Sequence, residues 1–541
     1  MADLTTRIWF SNGSSYSWPE QQAGVGTALG ICFPGGGTRA MCAAMGQLRG
    51  MISASILNSN ANNPNYISCV SGGSWAAAAF AYYDDSITDT DFLGNVIDPA
   101  AITASGLDVL PSTSLGSGAT MNLGDALDAA HKAGVANDLL WAAAVGSVFF
   151  ARYNLYTQGS PAYFSLDQDT VAAIVNNNAA LSGATFHTVR QPSGYNMPYL
   201  LINATIDGPS DQSPYDPDPL VMVTYSPLYC GIPFQQTVSY TLKNGGGVMR
   251  EALVGGGFIE PFAWGSDAPA ASGATNGMVQ VPPPTVPFEL VNASGTSSSA
   301  FAEKFEMIKA LDGLLPVENY WPPQSSGGQT AAQLFDFGDG GNLENYGLIP
   351  LIMRGVAKVI LFVNTSSPLS TTYNPSTDAA SSSVIDPNLP VLFGVPVTDG
   401  NAAATVNQVF NTSDYATLVA ALQTQKNAGE AMIVSMTHDI VQNNWWGIPG
   451  GGSIEILWVY LDRVKAWEDQ LTDDYIKAQL LLADAGLGDF PHFPNYATVD
   501  EDKISPDSLT ELSARQVNLL ADLTCWVVSN YSSTFTNFIS S

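Results

Sequence analysis

Two glycine-rich turns near the N-terminus each join an apolar, strand-like run to a helix-like run. The first turn is the Pro-Gly-Gly-Gly segment 34–37, which follows the apolar run 28–33. The second is the Ser-Gly-Gly segment 71–73, which follows the apolar run 66–70. Strand, tight turn and helix, twice in this order, are typical of an α/β protein with a largely parallel sheet.

Both turns carry groups that suit acyl transfer. Glycines 35–37 lack Cβ atoms, so successive main-chain N–H groups can point at one negative charge, and the following helix adds its positive dipole end. Ser71 fits the G-x-S-x-G nucleophile elbow except at the first position, where Cys69 is also small. The N–H of Gly72 can serve the same oxyanion. The alternatives are an ordinary tight strand–helix turn and a phosphate-binding loop, although no P-loop lysine follows.

A serine hydroxyl is a weak nucleophile unless a base takes its proton. Asp339 lies between glycines at the predicted end of a strand, and burial would raise the pKa of its carboxyl group enough to make it a usable base. An ordinary Asp-Gly-Gly turn is the alternative. His438 offers another base, because the chain order Ser71, Asp339, His438 is that of Ser-His-Asp α/β-hydrolases.

Three motifs together resemble the catalytic domain of the cytosolic phospholipase A2 and phospholipase B (lysophospholipase) family, within the patatin-like superfamily. They are Gly-Gly-Gly-x-Arg-Ala-Met at 35–41, Ser-Gly-x-x-Trp at 71–75, and Asp-Gly-Gly at 339–341 followed by Leu-Ile-Pro-Leu-Ile at 348–352. The resemblance implies a three-layer α/β/α core with a mostly parallel central sheet and a large cap insertion.

The same resemblance implies the roles of individual residues. Ser71 and Asp339 would form a catalytic dyad, Gly36 and Gly37 an oxyanion hole, and Arg39 a phosphate- or headgroup-binding site. The implied domain organisation has residues 1–83 as the first part of the catalytic core. Residues 84–330 form a cap- or lid-like insertion with some core elements, and residues 331–541 complete the core.

The composition and net charge of the chain limit the classes of partner and ligand that we expect. The formal net charge is −30, from 18 Lys and Arg against 48 Asp and Glu. Such a surface repels nucleic acid and anionic bilayers and suits neutral or zwitterionic lipid or high salt, with plain solubility as the alternative. The family resemblance implies a lipid or acyl-ester substrate at a lipid–water interface. No apolar run approaches the roughly 20 residues of a membrane-spanning helix. The five cysteines lack metal-ligand spacing. Three of them lie in apolar strands or helices near the glycine turns, where free, buried thiols are expected, and no metal or cofactor is predicted.

The N-terminal residues lack a basic region followed by an apolar one, as a secretory signal would have. We therefore expect a cytoplasmic protein, with secretion without a recognisable signal peptide as the alternative. The leading functional hypothesis is a lipid acyl hydrolase that works through an acyl-enzyme. The alternatives are a Ser-His-Asp esterase and a catalytically inactive lipid-binding protein on the same fold.

Overall fold

The fold is described from a computed structural model of the chain. It describes residues 3–11, 18–57, 63–84, 86–192, 195–210, 219–241, 249–269, 277–300, 302, 313–323, 331–497 and 511–541.

The strands and α-helices of these residues are numbered in chain order. The strands are β1 (Leu4–Phe10), β2 (Leu29–Phe33), β3 (Tyr66–Val70), β4 (Tyr163–Ser165), β5 (Phe186–Thr188), β6 (Tyr199–Pro209), β7 (Val221–Tyr225), β8 (Cys230–Ile232), β9 (Gln236–Thr241), β10 (Met249–Val254), β11 (Gly257–Ile259), β12 (Gly277–Val281), β13 (Val317–Tyr320), β14 (Gln333–Asp339), β15 (Lys358–Val363), β16 (Met432–Asp439) and β17 (Ser453–Tyr460). The helices are α1 (Pro19–Gln22), α2 (Gly37–Ser53), α3 (Gly72–Tyr82), α4 (Asp89–Leu93), α5 (Ala104–Leu107), α6 (Leu123–Lys132), α7 (Leu140–Val145), α8 (Gln168–Asn177), α9 (Leu290–Thr296), α10 (Leu348–Met353), α11 (Asn388–Val391), α12 (Thr412–Ala428), α13 (Lys465–Glu468), α14 (Asp474–Ala483), α15 (Ala514–Asn530) and α16 (Ser532–Ser540).

Thirteen of the described strands form one mixed sheet. Its main path runs β12-β1-β11-β8-β7-β6-β3-β2-β15-β17-β16, and β13 and β14 join beside β6. The five neighbouring strands from β6 to β17 are parallel, whereas the strands on both flanks pair antiparallel. The prediction of an α/β fold is confirmed, with its parallel strands at the centre of the sheet.

Helices cover both faces of this centre. Successive side chains of a strand point to opposite faces, and β15 shows this clearly. Ile360 and Phe362 pack in one apolar cluster with residues of α2, α3 and α15, whereas Val359 and Leu361 pack in a second cluster with α10 and α12. Buried on both faces, the central strands need the continuous apolar sequence that they have. The layers are therefore helix, sheet and helix, as predicted.

Strand β6 brings two distant parts of the chain together. Its first half pairs with β3 in parallel, and the last pair is Val70 with Asn203. Its second half pairs antiparallel with β14, and the pairing begins with Asp339 opposite Ala204. The ends of β3 and β14 therefore meet at two consecutive residues of β6. This register places the residue after Val70 next to Asp339.

The insertion predicted at 84–330 contributes to the sheet through strands β6–β8 and β11–β13. The remaining described elements of this region lie outside the main sheet, among them a β4–β5 pair and a β9–β10 hairpin. A cap function for them stays a prediction. In the part of the chain that the structure describes, no helix has the length and apolar character needed to cross a membrane.

Candidate active site

Ser71 lies in a sharp turn between β3 and α3. Its backbone has φ 48° and ψ −126°, a left-handed conformation that a residue with a Cβ adopts only when its surroundings hold it there. Two contacts do so. The N–H of Ser71 donates to Oγ of Ser297 at 2.9 Å, and the carbonyl oxygen of Ser71 accepts from the hydroxyl of Ser74 at 2.6 Å. The turn is therefore fixed on both sides of the serine.

The structure brings the hydroxyl of Ser71 to Asp339, although 268 positions separate them in the chain. Oγ of Ser71 donates to Oδ2 of Asp339 at 2.9 Å. Both side chains are buried, with exposed fractions of 4% and 3%. A serine hydroxyl at hydrogen-bond distance from a carboxylate can pass its proton directly to that carboxylate.

Burial changes the acid strength of Asp339. Desolvation raises the pKa of its carboxyl group to about 6, against the opposing hydrogen bonds that stabilise the carboxylate. The donors are the N–H of Gly341 to Oδ1 at 2.7 Å, the Ser71 hydroxyl, and the N–H of Ala300 to Oδ2 at 3.3 Å. A carboxylate with this pKa is ionised at neutral pH and is a stronger base than an exposed aspartate.

The glycine turn 34–37 lies against the Ser71 turn. A Cβ built on Gly35 would lie 3.0 Å from the Cβ of Ser71, and one on Gly72 would lie 2.0 Å from the carbonyl oxygen of Gly37. Helices α2 and α3 begin at Gly37 and Gly72. The N-termini of two helices thus converge on the serine, and both carry partial positive charge. None of the hydrogen bonds among the described residues uses the N–H of Gly36 or Gly37.

Arg39 lies in the first turn of α2, and its guanidinium group is buried. Its Nε donates to the carbonyl oxygen of Asn364 at 3.1 Å, and Nη1 donates to that of Tyr496 at 2.6 Å. Nη2 lies against the glycine turn, 2.5 Å from a Cβ built on Gly36. Burial lowers the pKa of Arg39 to about 10, and the negative charge of Asp386 opposes that shift. The group stays cationic at neutral pH, in one orientation.

Sequence reasoning missed Ser297. Its hydroxyl accepts from the N–H of Ser71 and donates to the carbonyl oxygen of Asn203 at 2.6 Å. Its carbonyl oxygen accepts from the N–H of Gly340, next to Asp339, at 3.3 Å. One serine therefore links the two turns of the site to β6. The available sequence signal was the uncharged run of small residues from Asn292 to Ala300, and the structure buries this run as far as Ser299.

Asn345 was not assigned to the site from the sequence. Its carbonyl oxygen accepts from the N–H of Gly35 at 3.0 Å. Its Oδ1 lies 2.2 Å from a Cβ built on Gly35 and 2.6 Å from one built on Gly341. The side chain thus fills the space between the glycine turn and the Asp339 turn, and keeps them at a fixed separation.

His438 is not brought to this site. It pairs with Ile454 at the start of β17, whereas Ser71 follows the end of a strand of the parallel centre. Nδ1 of its ring lies 3.1 Å from Oδ2 of Asp414, and Nε2 accepts from the indole N–H of Trp458 at 3.2 Å. Both ring nitrogens are engaged, so the geometry gives the Ser-His-Asp alternative no support.

All five cysteines are free and buried, which confirms the expectation for the three near the glycine turns. Within the described ranges, no group of three or more His, Cys, Asp and Glu side chains is arranged to hold a metal ion.

Comparisons with known proteins add little at the level of sequence. No protein-family model matches the chain, and no curated protein matches it. Among solved structures, the chain is similar to human GIVD cytosolic phospholipase A2, with TM-score 0.47, 14% identity and 95% of this chain covered. A form of that enzyme with methyl gamma-linolenyl fluorophosphonate gives TM-score 0.42 and 14% identity over 97% of this chain. The chain spans 60% of the length of these structures.

Proposed function

We propose that the protein is a lipid acyl hydrolase, a carboxylic ester hydrolase that uses Ser71 as nucleophile and Asp339 as its only base. The observation that carries the proposal is the buried 2.9 Å hydrogen bond from Oγ of Ser71 to Oδ2 of Asp339. It is supported by the strained backbone of Ser71 and by the helix N-termini that meet there.

In the first half of the reaction, Oγ of Ser71 attacks the ester carbonyl carbon while its proton moves to Oδ2 of Asp339. The carbonyl π electrons move to oxygen, and the N–H groups of Gly36, Gly37 and Gly72 stabilise that oxyanion. A well-placed donor of this kind contributes about 3–4 kcal/mol to transition-state stabilisation. When the oxyanion collapses, the C–O bond to the alcohol breaks and Asp339 returns the proton to the leaving oxygen.

In the second half, water attacks the acyl group on Ser71 and gives a proton to Asp339. The new tetrahedral intermediate collapses with cleavage of the bond to Oγ, which recovers the proton from Asp339. The products are a free fatty acid and the starting enzyme. Each half is a proton transfer between one oxygen and one carboxylate, so histidine has no step to perform.

The lipid part of the proposal rests on the resemblance of the three sequence motifs to the phospholipase family. In this account, Arg39 contacts the polar headgroup of the substrate from its fixed place beside the glycine turn. Location in the cytoplasm stays a prediction.

The proposal is tested with a panel of phospholipids, lysophospholipids and simple acyl esters, assayed for fatty-acid release. We expect the wild-type protein to cleave at least one class and the Ser71→Ala variant to lose 10⁴-fold or more, as is usual, in order of magnitude, for a missing nucleophile. Ser299→Ala is the matched control, because Ser299 is also a buried serine and its hydroxyl donates to the carbonyl oxygen of Thr296, not to the turns that carry Ser71 and Asp339. Wild-type turnover in Ser71→Ala would end the proposal.

A further inference from the structure

An open pocket lies beside the candidate active site. Its empty space is about 500 Å³ when the open solvent at its mouth is included. Gly35, which is next to the Cβ of Ser71, forms part of its wall, and so does Arg39. The segment that closes the far side contains Ser382, Asp386 and Asn388. A group attached to the alcohol side of an ester at Ser71 can therefore extend into this pocket.

The described lining is polar and almost free of aromatic faces. Apart from Arg39 and Asp386, its polar side chains are amides and hydroxyls, with Tyr346 as the single aromatic. Tyr346 donates its hydroxyl hydrogen bond to Oδ1 of Asp386 at 2.6 Å. A quaternary ammonium group has no hydrogen-bond donors and is recognised by several aromatic faces, which this lining does not supply.

The two charged groups of the pocket have opposite signs. Asp386 is 4% exposed, and its charge acts on the guanidinium group of Arg39. The hydrogen bonds of its carboxylate in the described part of the chain, from Tyr346 and from the N–H of Asn388 at 2.9 Å, both end on Oδ1. Oδ2 is therefore the acceptor left for a ligand. The anionic phosphodiester of a phospholipid would be attracted by Arg39 but repelled by this carboxylate.

The pocket thus offers a cationic donor, Arg39, and an anionic acceptor, Asp386, among amide and hydroxyl side chains. A hydroxyl group of a ligand both donates and accepts hydrogen bonds, so it suits both. We propose that this pocket binds an uncharged, hydroxyl-rich headgroup, glycerol or a sugar, and thereby makes such acyl esters the preferred substrates. The inference rests on the proposed function, since it concerns the alcohol part of the ester cleaved at Ser71. Asp386 is the residue that distinguishes headgroups, because it accepts from their hydroxyls.

The test compares kcat/KM for esters of one fatty acid that differ only in the alcohol. The set is a monoacylglycerol, a monoacyl galactosylglycerol, lysophosphatidylcholine and the ethyl ester. We expect one or both hydroxyl-rich esters to exceed lysophosphatidylcholine by tenfold or more. In Asp386→Asn this ratio should fall by about tenfold, as expected when a hydrogen bond to a charged group is lost. Because it is a ratio within one preparation, partial misfolding does not change it.

Asp378→Asn is the matched control, since Asp378 is an exposed carboxylate of the same region that does not line the pocket. It should leave the ratio unchanged. The glycerol and galactosyl esters tell which hydroxyl-rich alcohol fits better. Equal rates for all headgroups, a preference for choline, or a hydroxyl preference that survives Asp386→Asn would each overturn the pocket assignment while ester hydrolysis stands. Absence of turnover with every ester, the ethyl ester included, overturns the proposed function and the pocket assignment with it.

Discussion

Two buried polar clusters lie at opposite ends of the same sheet. They differ in whether the hydrogen bonds of the described residues leave donor groups available for a substrate. At the carboxyl end of the parallel strands, Ser71 donates to Asp339 from a strained turn between two helix N-termini. At the amino end of β17, His438 lies between Asp414 and Trp458 with both ring nitrogens engaged. Judged by residue type alone, the cluster with histidine would be the better candidate for a catalytic site. The strained backbone and the available N–H donors make the serine cluster the better candidate.

Burial also affects the two clusters in different ways. It raises the pKa of Asp339 and so makes its carboxylate a better base. It lowers the pKa of His438, against the opposing effect of Asp414, and so keeps the ring neutral. A neutral ring whose Nε2 accepts from an indole must carry its proton on Nδ1 and donate it to Asp414. The ring therefore links the edge strand β16 to helix α12 and has a structural role.

Removing one carboxylate at a time should give the largest difference in activity between the two clusters. Asp339→Asn keeps the shape of the side chain but removes the base, so we expect kcat to fall by about 10³-fold. Asp414→Asn, the matched change in the other cluster, should alter kcat by less than twofold. Fatty-acid release by both purified variants measures this. Equal losses in the two variants would show that the proposed division between the clusters is wrong.

Ser297→Ala tests whether the hydroxyl of Ser297 holds the turn that carries Ser71. It removes the acceptor of the Ser71 N–H and the hydroxyl bonded to Asn203. Leaving a buried N–H without a partner costs about 1–3 kcal/mol, and we expect kcat to fall about 10- to 100-fold as the turn relaxes. Fluorophosphonate labelling of Ser71 should slow by a similar factor.

Ser299→Ala is the control for that change. Ser299 is also buried, but its hydroxyl donates to the carbonyl oxygen of Thr296 and not to the turns of the site. It should lose stability in thermal unfolding without the loss in labelling rate. If both variants label Ser71 at the wild-type rate, Ser297 does not position the nucleophile.

The dependence of kcat/KM on pH should be a smaller effect than those of the Asp339→Asn and Ser297→Ala variants above, and its direction is defined. Asp339 accepts a proton only when it is ionised, so kcat/KM should rise with pH through about 6 and then level off. One pH unit below that value, the activity should be about tenfold lower than the plateau. The profile is measured with a headgroup-free ester to avoid titration of the substrate. A profile that stays flat from pH 5 to 8 contradicts the assignment of Asp339 as the base.

The smallest effect on activity is expected for His438→Gln. The change leaves the indole N–H of Trp458 and the carboxylate of Asp414 without their ring partner, so the free energy of unfolding should fall by about 2 kcal/mol. Turnover at a temperature where the variant is folded should stay within twofold of the wild type. Loss of activity in a fully folded variant would revive the Ser-His-Asp alternative.

The parts of the site that were predicted correctly are local. The apolar run 66–70 was predicted as a strand and forms β3, and Asp339 was predicted at the end of a strand and ends β14. In both places, apolar residues stop at glycines, and the backbone conformation follows from those few residues. The α/β class followed from the same alternation of strand, turn and helix.

The parts that were missed depend on register across the sheet. The contacts of Ser297 arise because β3 and β14 end at consecutive residues of β6, and no local pattern fixes that pairing. His438 follows Ser71 and Asp339 in the chain, as in Ser-His-Asp hydrolases. Chain order does not tell at which end of the sheet a residue lies. The antiparallel flanks contain strands of three residues, such as β8 and β11, which are too short for an apolar periodicity.

The most direct measurement is the rate at which a fluorophosphonate labels Ser71 at pH 7, in the wild type and in Asp339→Asn, with the labelled residue identified by peptide mass spectrometry. Our account predicts labelling at Ser71 in the wild type and a rate about 10³-fold lower in the variant, because only the carboxylate activates the hydroxyl. Folded wild-type protein that takes up no label, or a variant that labels as fast as the wild type, would contradict it.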